Sequence, residues 1–162
     1  MHHLLFIAHL LIPIRLTPDT AIQAVDAILT AGYIEHASLL EMRRALVWIS
    51  KESGATPQWG DCQGGLDSKG NCKSGIYLAC GRGQLHEEWR EGHSCDEIFR
   101  DAVLDIRLWI HMFRFLKNYC KGNEKEALAA VASGNCKAYY TSVKVKSIVD
   151  NRERLVFYDA KD

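Results

Sequence analysis

Glu52 stands near the end of the stretch Trp48-Ile49-Ser50-Lys51-Glu52-Ser53-Gly54, with a tryptophan one helical turn before it and an isoleucine three residues before it. A carboxyl held against such apolar surface has its pKa raised by desolvation. It then keeps its proton near neutral pH, which a general acid needs to protonate a poor leaving group such as a glycosidic oxygen. The plain alternative is a solvated glutamate at a helix end, the usual state of Glu. Two further acids, Asp61 and Asp67, follow in a stretch rich in Gly, Asn and Ser. A carboxylate there would position water for hydrolysis, although acids in Gly-rich loops more often shape the turn itself. His86, Glu87, Glu88 and His93 also gather imidazoles and carboxylates, but the two histidines are seven residues apart. A metalloprotease helix needs His-Glu-x-x-His so that both rings share one face, so this stretch reads as a solvated turn and no metal site is assigned.

The six cysteines, Cys62, Cys72, Cys80, Cys95, Cys120 and Cys136, include no pair spaced two to four residues apart, the spacing by which one turn grips zinc. Cys62 and Cys72 bracket a turn-rich loop that they would close in an oxidising compartment; reduced, the six would act as small apolar side chains. Lysines and arginines number 20 and acids 20, so no global field draws the chain to nucleic acid or anionic lipid. Any polymer it handles is then recognised by a cleft.

These side chains must be positioned by a chain of 162 residues, enough for one core without covalent staples. No repeat, low-complexity segment or linker divides it, and a single domain over 1–162 is expected. Residues 1–30 form an N-terminal helical segment. Within it, the apolar run Leu4 to Ile12 is too short to span a bilayer. His2 and His3 stand where a signal peptide carries Lys or Arg, and the run reads as a packed first helix. Thr17-Pro18 opens a helix, with Thr17 as N-cap, and Gly32 is expected to stop it. Apolar residues at helical spacing (Leu39, Met42, Leu46, Ile49) define the helix that delivers Glu52, with Arg43 and Arg44 facing away. From Gly54 to Gly75 the composition predicts turns or a short irregular hairpin. A strong amphipathic helix is expected over Cys95 to Tyr119, a short Ala-rich one over Glu124 to Ala132, and a last one over Lys144 to Val156, followed by a tail.

In order along the chain come Glu52-Ser53-Gly54, then Gly81-Arg82-Gly83-Gln84, a long helix, and Ala127-Leu128-Ala129-Ala130-Val131-Ala132-Ser133-Gly134. This succession, over roughly residues 36 to 145, resembles the lytic transglycosylase family of lysozyme-like enzymes. The resemblance implies a mainly α, lysozyme-like α+β fold with a small hairpin region after the catalytic helix. It implies Glu52 as sole acid/base, with substrate contacts from Ser53, Gln84, Tyr139 and Tyr140, and no cofactor. Tyr140, with Tyr139 as its competitor, falls where the family places a tyrosine near the acid. The chain departs from the pattern at Arg82 and Gly83, where the family carries Leu-Met. It departs again at Val131-Ala132-Ser133, where the family has Tyr-Asn-Ala. The implied reaction cleaves the β-1,4 bond between N-acetylmuramic acid and N-acetylglucosamine, giving a 1,6-anhydro product. Alternatives are a muramidase hydrolysing the same bond, or a non-catalytic module of the same fold that binds glycan or a partner protein. The expected partner is the peptidoglycan glycan strand, met by a monomer in the periplasm or at the cell wall, with delivery by a phage or a secretion system.

Overall fold

The computed structural model describes residues 18–69 and 71–157. Within them the chain is mainly helical with one small antiparallel sheet. Helix α1 (Pro18–Ile34) and helix α2 (Leu39–Ser53) lead into strands β1 (Gln58–Cys62), β2 (Tyr77–Gly81) and β3 (Leu85–His86), then a 3-10 turn (Glu87–Trp89). Helices α3 (Cys95–Arg100), α4 (Ala102–Tyr119), α5 (Glu124–Ser133), α6 (Ala138–Thr141) and α7 (Val143–Val156) follow. The expected N-cap Thr17, the apolar run near the N-terminus and the tail after Phe157 lie outside the described residues.

Helix α2 is bounded as its sequence dictates. Ser38 and Glu41 form a reciprocal capping box, the Ser38 Oγ accepting from the Glu41 N–H at 3.2 Å and the Ser38 N–H donating to Glu41 Oε2 at 2.8 Å. At the other end Gly54 takes the left-handed conformation (φ 65°) and its N–H returns to the Ser50 carbonyl, stopping the helix one turn after Trp48 has entered the core. Burial pushes the Glu41 carboxyl up, but hydrogen bonds from Arg114 and Ser38 outweigh it and hold it at about 2.

Gly32 does not end α1, which runs on to Ile34. A Cβ at Gly32 would collide with the Met42 side chain, so this glycine serves the close crossing of α1 and α2. The expected helix over Cys95 to Tyr119 is two helices. Asp101 leaves the helical region (φ −117°, ψ 98°) and its carboxylate accepts from the N–H groups of Val103 and Leu104, capping α4 afresh. The turn-rich stretch after Gly54 contains β1, which pairs with β2 in the register Trp59 to Cys80 and Gly60 to Ala79. Beyond β2, the residues read as a solvated turn begin with β3, paired to β2 through Cys80 and Leu85.

Helix α4 runs through the middle of the molecule, packed on α1, α2, α3 and α5. Its Trp109 and Phe113 rings stack at 5.6 Å, and Trp109 meets Trp48 of α2 at 6.4 Å. All three rings are buried with Leu46, Ile49, Ile98 and Ile106 in one continuous core. Arg44, expected at the surface, is 2% exposed. Its guanidinium forks onto Glu153 of α7 (3.0 and 2.8 Å) and reaches Glu124 of α5 at 2.9 Å, so one buried cation ties three helices together. All six cysteines pair, as Cys62–Cys72, Cys80–Cys95 and Cys120–Cys136. The first closes the turn-rich loop, the second fastens the sheet to α3, and the third joins the end of α4 to the segment after α5. No helix among the described residues is long and apolar enough to cross a membrane.

Candidate active site

Glu52 leaves the last turn of α2 with about a third of its side chain exposed. It does not rest on bare apolar surface as its neighbours suggest. Its Oε1 accepts from Arg152 of α7 at 2.6 Å, and the same guanidinium covers the Trp48 ring at 4.1 Å. The arginine thus fixes the carboxylate and roofs the tryptophan one turn before it.

Across from Glu52 lies the tight turn between β2 and β3, built by Gly81-Arg82-Gly83-Gln84. Its glycines follow from what the turn packs on. A Cβ at Gly81 (φ +88°) would come within 2.9 Å of both Asp105 carboxylate oxygens and 2.7 Å of Ile98, and one at Gly83 would sit 3.0 Å from Trp109. The backbone wraps the buried Asp105 carboxylate, the Arg82 N–H donating at 2.5 Å and the Gly83 N–H at 3.3 Å. Burial pushes the Asp105 carboxyl up to about 6, against the pull of these two N–H groups and the Arg82 guanidinium. A larger side chain at Gly83 would press on the Trp109 ring. Asp105 was not foreseen from sequence, although an acid on the same helical face as Trp109, Met112 and Leu116 is a readable sign of a buried, partnered carboxylate.

Gln84 adopts φ 53° and folds its carboxamide back over Gly60, where any Cβ would clash with it. Its Nε2 donates to the carbonyls of Gly81 (2.8 Å) and Gln58 (3.1 Å), closing the turn onto β1. Ser53, expected at the substrate, is instead buried beneath the acid. Its hydroxyl lies within donating distance of the carbonyls of Ile49 (2.9 Å) and Arg82 (2.8 Å), so it fastens the helix end carrying Glu52 to the turn carrying Gln84.

Between these walls is a cavity of about 150 Å³. Trp48 and Glu52 come from α2, Gly83 and Gln84 from the turn, Met112 and Leu116 from α4, and the consecutive Ala130, Val131 and Ala132 from α5. Asp61, His86 and Trp89 complete its rim. Asp61 is not in an open turn; it sits in β1 at φ 38°, and its carboxylate lies 3.3 Å from His86 Nε2. Asp67 keeps the turn-forming role read for it, its carboxylate accepting from the N–H groups of Lys69 and Asn71. Trp89, His86 and Arg152 are not legible as neighbours of Glu52, because tertiary packing alone brings Trp89 and His86 to the cavity and Arg152 to the Glu52 carboxylate.

Tyr139 and Tyr140 are not brought to this cavity. The Tyr139 hydroxyl donates to Asp150 at 2.8 Å and accepts from Lys125 at 3.1 Å, and its ring is buried at the junction of α6 and α7. Tyr140 is exposed, its hydroxyl 3.4 Å from the Asn123 amide. Among the described residues no group of three or more His, Cys, Asp or Glu side chains is arranged to hold a metal ion. Chemically, the cavity offers one fixed carboxyl, a second carboxylate on the rim, an amide-closed turn and an apolar wall, a combination suited to proton transfer on a neutral polar substrate. Comparison with protein-family models, with curated proteins and with solved structures finds no match to this chain.

Proposed function

We propose that this chain is a peptidoglycan lytic transglycosylase with Glu52 as its single acid/base. The observation that carries the reading is convergence. Trp48 and Glu52, Gly83 and Gln84, and Ala130 to Ala132, far apart along the chain, wall one cavity. These are the segments whose order resembles the family, and their meeting around Glu52 is what a shared lysozyme-like α+β fold requires.

In this mechanism a glycan strand lies in the cleft with its scissile bond at Glu52. Arg152 donates to Oε1 at 2.6 Å, and Oε2 is the oxygen to which this reading gives the proton transfers. Glu52 protonates the glycosidic oxygen as the anomeric carbon–oxygen bond breaks, and the substrate's acetamido group stabilises the anomeric charge. The Glu52 carboxylate then takes the proton of the muramyl 6-hydroxyl, whose oxygen bonds to the anomeric carbon and closes the 1,6-anhydro ring. No cofactor enters. Ser53 and Asp105 act as positioning residues, the first by tying the acid's helix to the opposing turn, the second by fixing that turn from beneath. The chain works as a monomer on glycan strands in the periplasm or at the cell wall, reached through a phage or a secretion machine, and three disulfides fit folding in oxidising surroundings.

Asp61 supports a second reading. Because it borders the same cavity as Glu52, it is the group that would activate water in a muramidase. The two readings part on mutation. Glu52→Gln is expected to lower release of soluble fragments from purified sacculi by about a thousand-fold or more, the scale of losing a general acid and base together. Asp61→Asn is expected to keep release within a few fold of wild type; a loss matching that of Glu52→Gln would favour the hydrolase.

A further inference from the structure

We infer that the binding cleft continues out of the Glu52 cavity along an aromatic track, Trp89, Phe115 and Tyr119, which receives the uncharged ring faces of a sugar polymer. The identity of the polymer rests on the transglycosylase reading; the path of the track rests on geometry. Trp89 and Met112 line the Glu52 cavity and also a second hollow of about 410 Å³ bordered by Phe115, so the two adjoin at one pair of side chains. The Trp89 and Phe115 rings lie 5.3 Å apart. Phe115 and Tyr119, one helical turn apart on α4, stand nearly parallel at 6.4 Å with an interplanar angle of 9°.

Phe115 is 57% and Tyr119 70% exposed, so neither ring is spent on the core. Exposed aromatic rings beside a cleft, continuous with its lining, mark a binding surface more than a packing one. From Met112 to Tyr119 the helix advances about 10 Å, roughly the length of two linked pyranose rings. The C–H faces of such rings stack on aromatic faces, a contact that needs no charge. Charge at the hollow argues against an anionic occupant. Glu88 and Glu91 border it, and its one imidazole, His111, is held between Glu91 and Glu35. Nucleic acid would meet like charge there, whereas N-acetylglucosamine rings meet flat apolar faces with acceptors at the edge.

The test uses the full chain carrying Glu52→Gln, so that binding is read without turnover, with and without Phe115→Ala/Tyr119→Ala. The probes are uncharged β-1,4-linked N-acetylglucosamine oligomers, four and eight sugars long, titrated by calorimetry. The track predicts that the double change weakens the longer strand by about ten-fold and the shorter one by less than about two-fold. Both side chains are exposed, so the fold survives their truncation, which a thermal melt verifies. Absence of binding by the longer strand, equal losses for both strands, or no loss for either would overturn the inference. So would a fall from dimer to monomer in sedimentation, which would make the patch a self-association surface. The transglycosylase reading fails by a different readout, intact sacculi after exposure to the wild-type protein, which leaves this binding measurement decisive on its own.

Discussion

Asp105 is the residue on which the Glu52 cleft depends without touching it. Its carboxylate fills the space that glycines leave at positions 81 and 83, and it accepts the backbone N–H groups that shape the Gln84 turn. Because the group is buried, its pKa in the fold, about 6, lies above the ordinary 3.8. The folded chain therefore binds this proton more tightly than the unfolded one. Stability from the group is fully present below about pH 4 and is lost as pH rises through 6, by up to about 3 kcal/mol. Asp105→Asn keeps one acceptor oxygen and removes the titration. Thermal melts between pH 4 and 7 are thus expected to show wild-type stability falling relative to the variant over that range. A difference that stays constant with pH would mean that the carboxyl titrates as an ordinary aspartate.

At the scale of elements, Arg44 joins α2, α5 and α7, and α2 and α7 carry the ion pair of the site, Glu52 and Arg152. Removing one side of a buried pair strands the other charge. Arg44→Met is therefore expected to cost about 3–5 kcal/mol, while Arg44→Met/Glu153→Leu recovers most of it; urea denaturation of the two proteins provides the check. A double variant as unstable as the single would show that packing, not charge, is what Arg44 contributes. The sequence disclosed the helices well, since periodicity of 3.6 is a local signal that core packing preserves. It misplaced their fine structure where a long-range partner decides. Gly32 reads as a stop until Met42 of the next helix is seen against it, and Arg44 reads as exposed until Glu153, more than a hundred residues on, is folded beside it. Asp101 carried a legible cap signal that the apolar stripe on either side concealed.

For the whole molecule, the same division holds. Glu52, Gln84 and the Ala-rich helix could be picked out in the sequence because each is a compact motif, and they line one cavity. Arg152, Trp89 and His86 could not be picked out as neighbours, since nothing local marks an arginine of the last helix as the partner of an acid 100 residues earlier. Tyr139 and Tyr140 were readable only through family order, and that order does not deliver them to the cavity. The three disulfides staple this architecture at three places: the sheet loop, the sheet to α3, and α4 to the segment after α5, with Cys80, Cys95 and Cys120 buried in the core. Each closes a short loop and is expected to contribute about 2–4 kcal/mol, so reduction with dithiothreitol should lower the melting temperature well below that of the oxidised protein; unchanged melting would show that the core alone carries the fold. The central claim is that Glu52 makes an anhydro sugar. Mass spectrometry of muropeptides released from purified peptidoglycan by the wild-type protein and by Glu52→Gln tests it most directly. The account predicts 1,6-anhydromuramyl ends from the first and none from the second, whereas reducing muramyl ends, or release that survives the loss of Glu52, would contradict it.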